Sequence, residues 1–329
     1  MPASDRVLSL SLRPKTLADC VGQDDLIALL ENQFNSGRIP HFFILHGAPG
    51  SGKTTLARIL ALALQLPPDA HDRLRPTPEM WAAYKQYEIR EINAANQNGI
   101  DDIRALVETM RYKPMAPSRA RVIILDEAHQ LTAAAQNALL TEVEDVAAHV
   151  YYIFCTSQVS KLLPALQRRA YIMEPRPLNA EETGALLERA AAAADCEEDL
   201  EPLKKVLADN GIATPGLVLQ AAEKFFGGLP AEESAFQANI ANIDSLAVCR
   251  AVGAGNWKAV AKLLKPLAKS DIPMVRFGCQ GYLKSMLLGA AGPRALNIAN
   301  AIRALDDMAG MDNLPVFLAN VCIACNYLA

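Results

Sequence analysis

His41-Phe42-Phe43-Ile44-Leu45-His46-Gly47-Ala48-Pro49-Gly50-Ser51-Gly52-Lys53-Thr54 runs from an apolar strand pattern into a glycine-rich turn, and Thr55-Leu56-Ala57-Arg58-Ile59-Leu60 continues it as a helix. Gly47 and Gly52 are separated by four residues and followed by Lys and Thr, the spacing of a loop that cradles phosphates. The glycines let backbone N–H groups turn inward around an anion. Lys53 reaches the terminal phosphates as a point charge, and the Thr54 hydroxyl can ligate Mg²⁺. The bland alternative is a strand-to-helix turn with an incidental lysine. An apolar strand before the turn and a helix after it favour the phosphate site, so Gly47, Pro49, Gly50, Ser51, Gly52, Lys53, Thr54 and Thr55 are the candidate nucleotide-binding residues.

Such a site needs a second half: a buried strand ending in an acid. Val122-Ile123-Ile124-Leu125-Asp126-Glu127 supplies one, with Asp126 placed to hold the Mg²⁺ shell beside Thr54 and Glu127 placed to polarise an attacking water as base. Two adjacent acids at a strand end could by themselves be a solvated loop; the upstream phosphate loop makes ATP hydrolysis the stronger reading. Asp126-Glu127-Ala128-His129 also spells the signature of a helicase class. A helicase would need a second α/β core with paired arginines, and residues 176–329 read as helices only.

Working outward, five short apolar segments alternate with helical ones: residues 41–46, 87–92, 121–125, 150–154 and 170–173. That alternation predicts an α/β domain with a five-stranded parallel sheet covered by helices. Pro175-Arg176-Pro177 breaks the pattern and Gly227-Gly228-Leu229-Pro230 breaks it again. The expected division is 1–175, a short helical piece 176–228, and an all-helical block 229–329. Helices are predicted within the last block over 257–269, Ile272–Leu288 and Leu314–Leu328 from apolar residues at three- and four-residue intervals.

With 51% hydrophobic residues among 329, the chain is not disordered. No apolar run approaches the roughly 20 residues that cross a bilayer, and the first eleven residues lack a leader pattern, so a soluble cytoplasmic protein with no membrane partner is expected. Seven scattered cysteines in a chain of this size read as reduced thiols, and Cys322-Ile323-Ala324-Cys325, on an apolar helix without a second ligand pair, as packing. A net charge of −4 excludes a surface coated with cations for nucleic acid; a phosphate grip would come from a few aimed groups.

Several segments together resemble one family. Leu12-Arg13-Pro14-Lys15-Thr16-Leu17-Ala18-Asp19-Cys20-Val21-Gly22-Gln23 is similar to an "RP-x-T-x-x-D-x-V-G-Q" opening, Asn93-Ala94-Ala95-Asn96-Gln97-Asn98-Gly99-Ile100-Asp101-Asp102-Ile103-Arg104 to an "asn-x-gly-hydrophobic-asp-asp-ile-arg" stretch, and Gln136-Asn137-Ala138-Leu139-Leu140 to the helix after the acids. In this order, over about residues 12–226, they resemble the AAA+ clamp-loader ATPases: replication factor C small subunits, the bacterial gamma/tau subunit and bacteriophage counterparts. The resemblance implies an AAA+ P-loop core, a small helical lid and a helical collar that joins subunits. It implies ATP and Mg²⁺ as cofactors, with Arg13, Val21 and Gly22 over the adenine.

It further implies a polar sensor at Ser157, with Thr156 adjacent, and an arginine lent to the neighbouring subunit's ATP from Arg168-Arg169-Ala170. Residue-by-residue alignment gives Arg169, Arg168 being open as a partner or substitute. In the lid, Thr214 stands where the family has an arginine in Gly-x-x-Arg-x-x-Leu. No cysteine lies between Cys20 and Cys155, where bacterial relatives carry a zinc module, which suggests a phage-like or archaeal-like form, acting in the host cytoplasm if phage-encoded. The implied partners are a sliding clamp, primer–template DNA, further copies of the chain and a different loader subunit, in a pentameric ring or spiral. DNA candidates are 96–104, Arg111 and Lys113, which solvated surface explains equally well. Two rival readings remain: a branch-migration type of AAA+ motor, and a loader subunit that acts as scaffold without hydrolysis.

Overall fold

The computed structural model describes residues 8–67, 74–239, 245–264, 272–306 and 314–329. Five strands, β1 Phe42–His46, β2 Ile89–Asn93, β3 Arg121–Asp126, β4 Val150–Thr156 and β5 Tyr171–Met173, form one sheet in the order β2-β3-β4-β1-β5. Every pairing is parallel, as the alternation of strand and helix patterns predicts. Each predicted strand lies within two residues of an observed one.

The central strands read as continuous apolar runs because both faces are covered. Side chains alternate across the sheet. Phe43 and Leu45 join Val122, Ile124 and Ile153 on one face, under α2 (Asp24–Asn35) and α3 (Lys53–Ala63). Phe42 and Ile44 join Ile123, Leu125, Tyr152 and Phe154 on the other, under α5 (Ile100–Met110), α6 (Ala133–Glu144) and α7 (Pro164–Arg169). A one-residue slip of any central strand would exchange these two cores.

The described residues divide into two compact units: Met1–Ala194 with Ala213–Leu219, and Asp195–Ile212 with Gln220–Ala329. The first contains the sheet and α8 (Ala180–Ala193). The start of α10 (Pro215–Phe226) belongs to it too. In the second, α12 (Ser245–Gly253), α13 (Trp257–Leu263), α14 (Ile272–Leu288), α15 (Pro293–Leu305) and α16 (Leu314–Leu328) surround a core of Val248, Val252, Val260, Leu283, Ile298, Phe317 and Val321. The helices predicted over Ile272–Leu288 and Leu314–Leu328 have those bounds. The one predicted over 257–269 is described as far as Leu263, and 265–269 lie outside the described residues.

Candidate nucleotide site

In an open parallel sheet, ligands sit beyond the carboxyl ends of the strands, where the strand order reverses. Here the ends of β3, β4 and β1 line up as Asp126, Thr156 and His46, with His46 opposite Thr156 in the ladder. Because β4 lies between them, the loop after β1 and the acid after β3 stand two strand spacings apart, roughly 10 Å. The gap is closed from α3. Thr54 at its second position donates its hydroxyl to Asp126 Oδ2 at 2.9 Å, so the two residues expected to hold the metal are in contact.

The loop between β1 and α3 has the shape that its glycines allow. Gly47, Gly50 and Gly52 have φ values of 149°, 79° and 92°, which L residues with a Cβ rarely adopt. Lys53 is buried, and its ammonium donates to the carbonyls of Gly47 at 2.9 Å and Ala48 at 2.8 Å. Burial holds that ammonium below its ordinary lysine range, opposed by the neighbouring Cys155, Glu127 and Asp126. Ser51 of the loop is also buried, and its hydroxyl has no hydrogen-bond partner.

Glu127 follows Asp126 with φ at 52°, in the left-handed region although it is not a glycine. Its N–H donates to Asp126 Oδ1 at 3.0 Å, and its carboxylate reaches His129 Nδ1 at 3.3 Å. At the end of β4 the Thr156 hydroxyl lies 3.2 Å from the same His129 Nδ1. Ser157 lies one residue beyond the strand.

Thr214 is buried, with its hydroxyl unpartnered like that of Ser51. It precedes α10, whose start rests on the phosphate loop: the Gly216 N–H donates to the Gly50 carbonyl at 2.9 Å. A Cβ on Gly216 would stand 2.9 Å from Gly50 Cα, so the approach requires glycine. Nothing local in the sequence signals this contact, since Gly50 and Gly216 are far apart in the chain.

Among the remaining candidates, Gly22 has φ at 72°, and a Cβ there would stand 2.6 Å from Glu182 Oε2. Glu182 also receives two hydrogen bonds from Arg176, while Gln23 exchanges two with the Arg176 backbone, which fastens the opening segment to the start of α8. Val21 lies beside Gly22 and is half-buried. Arg13 is half-buried near Arg58 and Glu91; burial and then Arg58 lower its guanidinium. Arg169 ends α7 on the surface, its guanidinium 2.6 Å from Glu144 Oε1. Arg168 is exposed beside it. Residues 93–99 form a turn tied to the acid side of the site, through Ala94 N–H to Asp126 O and Thr132 N–H to Asn98 O.

Positive-φ glycines, a buried lysine, two unpartnered hydroxyls and a Thr–Asp pair fit a polyphosphate with a divalent cation. Thr54 and Asp126 would take the cation, and Lys53, Ser51 and the loop N–H groups the phosphates.

Residues 22–179 match the family model described as "DNA polymerase III, delta subunit". The chain is 36% identical over 183 residues to a DNA polymerase III subunit gamma/tau of Mycobacterium bovis, covering 51% of this chain and 31% of that protein. It is 32% identical over 192 residues to the DNA polymerase III subunit tau of Escherichia coli, covering 56% and 29%. The chain thus spans about a third of the length of these relatives. Among solved structures, the Thermotoga maritima RuvB Holliday junction branch migration motor is similar with a TM-score of 0.51 at 20% identity, covering 84% of this chain and 91% of that one. That likeness speaks for the fold.

Proposed function

We propose, from the premise that residues 22–179 are a clamp-loader AAA+ module of the DNA polymerase III type, that this protein is an ATPase subunit of a sliding-clamp loader. The observation that carries the reading is the Thr54–Asp126 contact beside the buried Lys53. It joins the phosphate loop and the acid strand within the residues that the family model matches.

A divalent cation such as Mg²⁺ would offset negative charge on the phosphate oxygens. Lys53 supplies further positive charge where it is shielded from water, and the loop orients the polyphosphate. Glu127 accepts the proton of the attacking water. Arg169, exchanging Glu144 for a neighbour's γ-phosphate, completes that neighbour's site. Ser157, one residue beyond β4 with Thr156 beside it, is the polar sensor for the γ-phosphate or the attacking water.

ATP binding would hold several copies with a second kind of subunit in a pentameric ring or spiral that opens the clamp. Primer–template DNA would trigger hydrolysis and release the closed clamp. The functional division is 1–175 as core, 176–228 as lid and 229–329 as collar, in a phage-like, zinc-free cytoplasmic form.

The test is steady-state ATP hydrolysis by the full chain with and without a primed single-stranded circle and a bacterial sliding clamp. Stimulation that needs both supports the reading. Stimulation by branched duplex alone would favour the branch-migration motor, and ATP binding without turnover under any condition would favour the scaffold subunit.

A further inference from the structure

Glu127, His129 and Thr156 form a line of polar contacts, hydrogen-bonded between His129 and Thr156, that the reading above leaves without a role for the histidine. His129 lies in the short turn after Glu127, and its side chain is only 5% exposed. Its Nδ1 stands 3.3 Å from Glu127 Oε2 and 3.2 Å from Thr156 Oγ1, and its Nε2 stands 3.2 Å from Gln130 Nε2. An amide nitrogen can only donate, so Gln130 gives the hydrogen and His129 Nε2 accepts it. A neutral imidazole then carries its single proton on Nδ1, facing both the carboxylate and the hydroxyl.

Thr156 reaches further. Its carbonyl accepts from the N–H of Gly47, the first glycine of the phosphate loop, at 3.2 Å, and its hydroxyl accepts from Gln158 N–H at 3.0 Å. One buried residue therefore holds the phosphate loop by its backbone and the acid's partner by its side chain. Glu127 meanwhile has a backbone conformation that a non-glycine residue keeps only where its surroundings hold it.

We infer that His129 is a positioning residue for hydrolysis: its Nδ1–H aims the Glu127 carboxylate, and Thr156 sets the imidazole. A shift of the phosphate loop thus reaches the acid through two hydrogen bonds and the His129–Glu127 contact. The inference rests on the ATPase reading. A histidine that merely fills space would be served by any side chain of similar size. A positioning histidine needs a donor where Nδ1 stands, which an asparagine amide supplies and a glutamine amide, one bond longer, does not.

The experiment compares the full-length wild type with His129→Asn, His129→Gln, His129→Leu and Thr156→Val, measuring ATP affinity, single-turnover hydrolysis and thermal melting. Affinity is expected to stay within about twofold throughout, while the Gln and Leu variants lose roughly tenfold or more in hydrolysis rate and the Asn variant keeps most of it. Thr156→Val should slow the wild type but add little to His129→Gln, because the two act in one line. Equal rates for the Asn and Gln variants, or rate losses that follow affinity or melting temperature, would overturn the inference. A wild type that binds ATP yet never hydrolyses it would instead sink the reading beneath it, and the positioning role would fall with it.

Discussion

At the scale of single residues, Lys53, Thr54, Asp126 and Glu127 stand out in the sequence because each belongs to a linear pattern that suits phosphate and metal chemistry, and the fold brings Thr54 against Asp126. Glu127→Gln removes the proposed base while keeping the side chain's size. It is expected to retain ATP in a filter-binding assay while phosphate release falls by about a hundredfold or more. Undiminished release would take the base role from Glu127. The polar group at the end of β4 was less legible. Thr156 and Ser157 differ by one position, and the sequence does not show that the Thr156 hydroxyl comes to lie 3.2 Å from His129 Nδ1. His129 was hidden for a related reason. In the sequence it is the tail of an acid motif; in the fold it is a buried link to a different strand.

At the scale of elements, the five strands and the two long carboxy-terminal helices could be read from apolar runs and helical spacing, because buried parallel strands and amphipathic helices each leave a local periodicity. Contacts between distant segments leave none. The seat of α10 on the phosphate loop depends on Gly50 and Gly216 touching backbone to backbone. Gly216→Ala forces a Cβ to within 3.0 Å of the Gly50 carbonyl oxygen, and neither side is a flexible side chain that could yield. A loss of about 1 to 3 kcal/mol is expected by denaturant unfolding, together with weaker ATP binding. Ala in place of the open Gly37, where no neighbour lies within 4 Å, is the control for backbone strain alone.

At the scale of the whole molecule, the proposed finger makes turnover a property of neighbours. Lys53→Ala cannot hold phosphate but keeps Arg169; Arg169→Ala keeps its own site but cannot serve the next one. Mixing the two inactive variants is expected to restore part of the DNA-stimulated hydrolysis, and a mixture no more active than its components would place the finger elsewhere. The exposed Arg169–Glu144 pair is no obstacle, since such pairs contribute only about 0 to 1 kcal/mol.

The position of β4 reaches further than its side chains do. The bite between the phosphate loop and the acid is gauged by the width of that one strand, and β4 is bedded on Phe154, which meets Phe42 edge to face at 4.8 Å. Hollowing the bedding with Phe154→Leu would let the gauge drift without replacing any group that touches the ligand. The first casualty should be discrimination between ions of unequal radius, seen as a changed ratio of turnover with Mg²⁺ and with Ca²⁺ in a protein that still melts cooperatively.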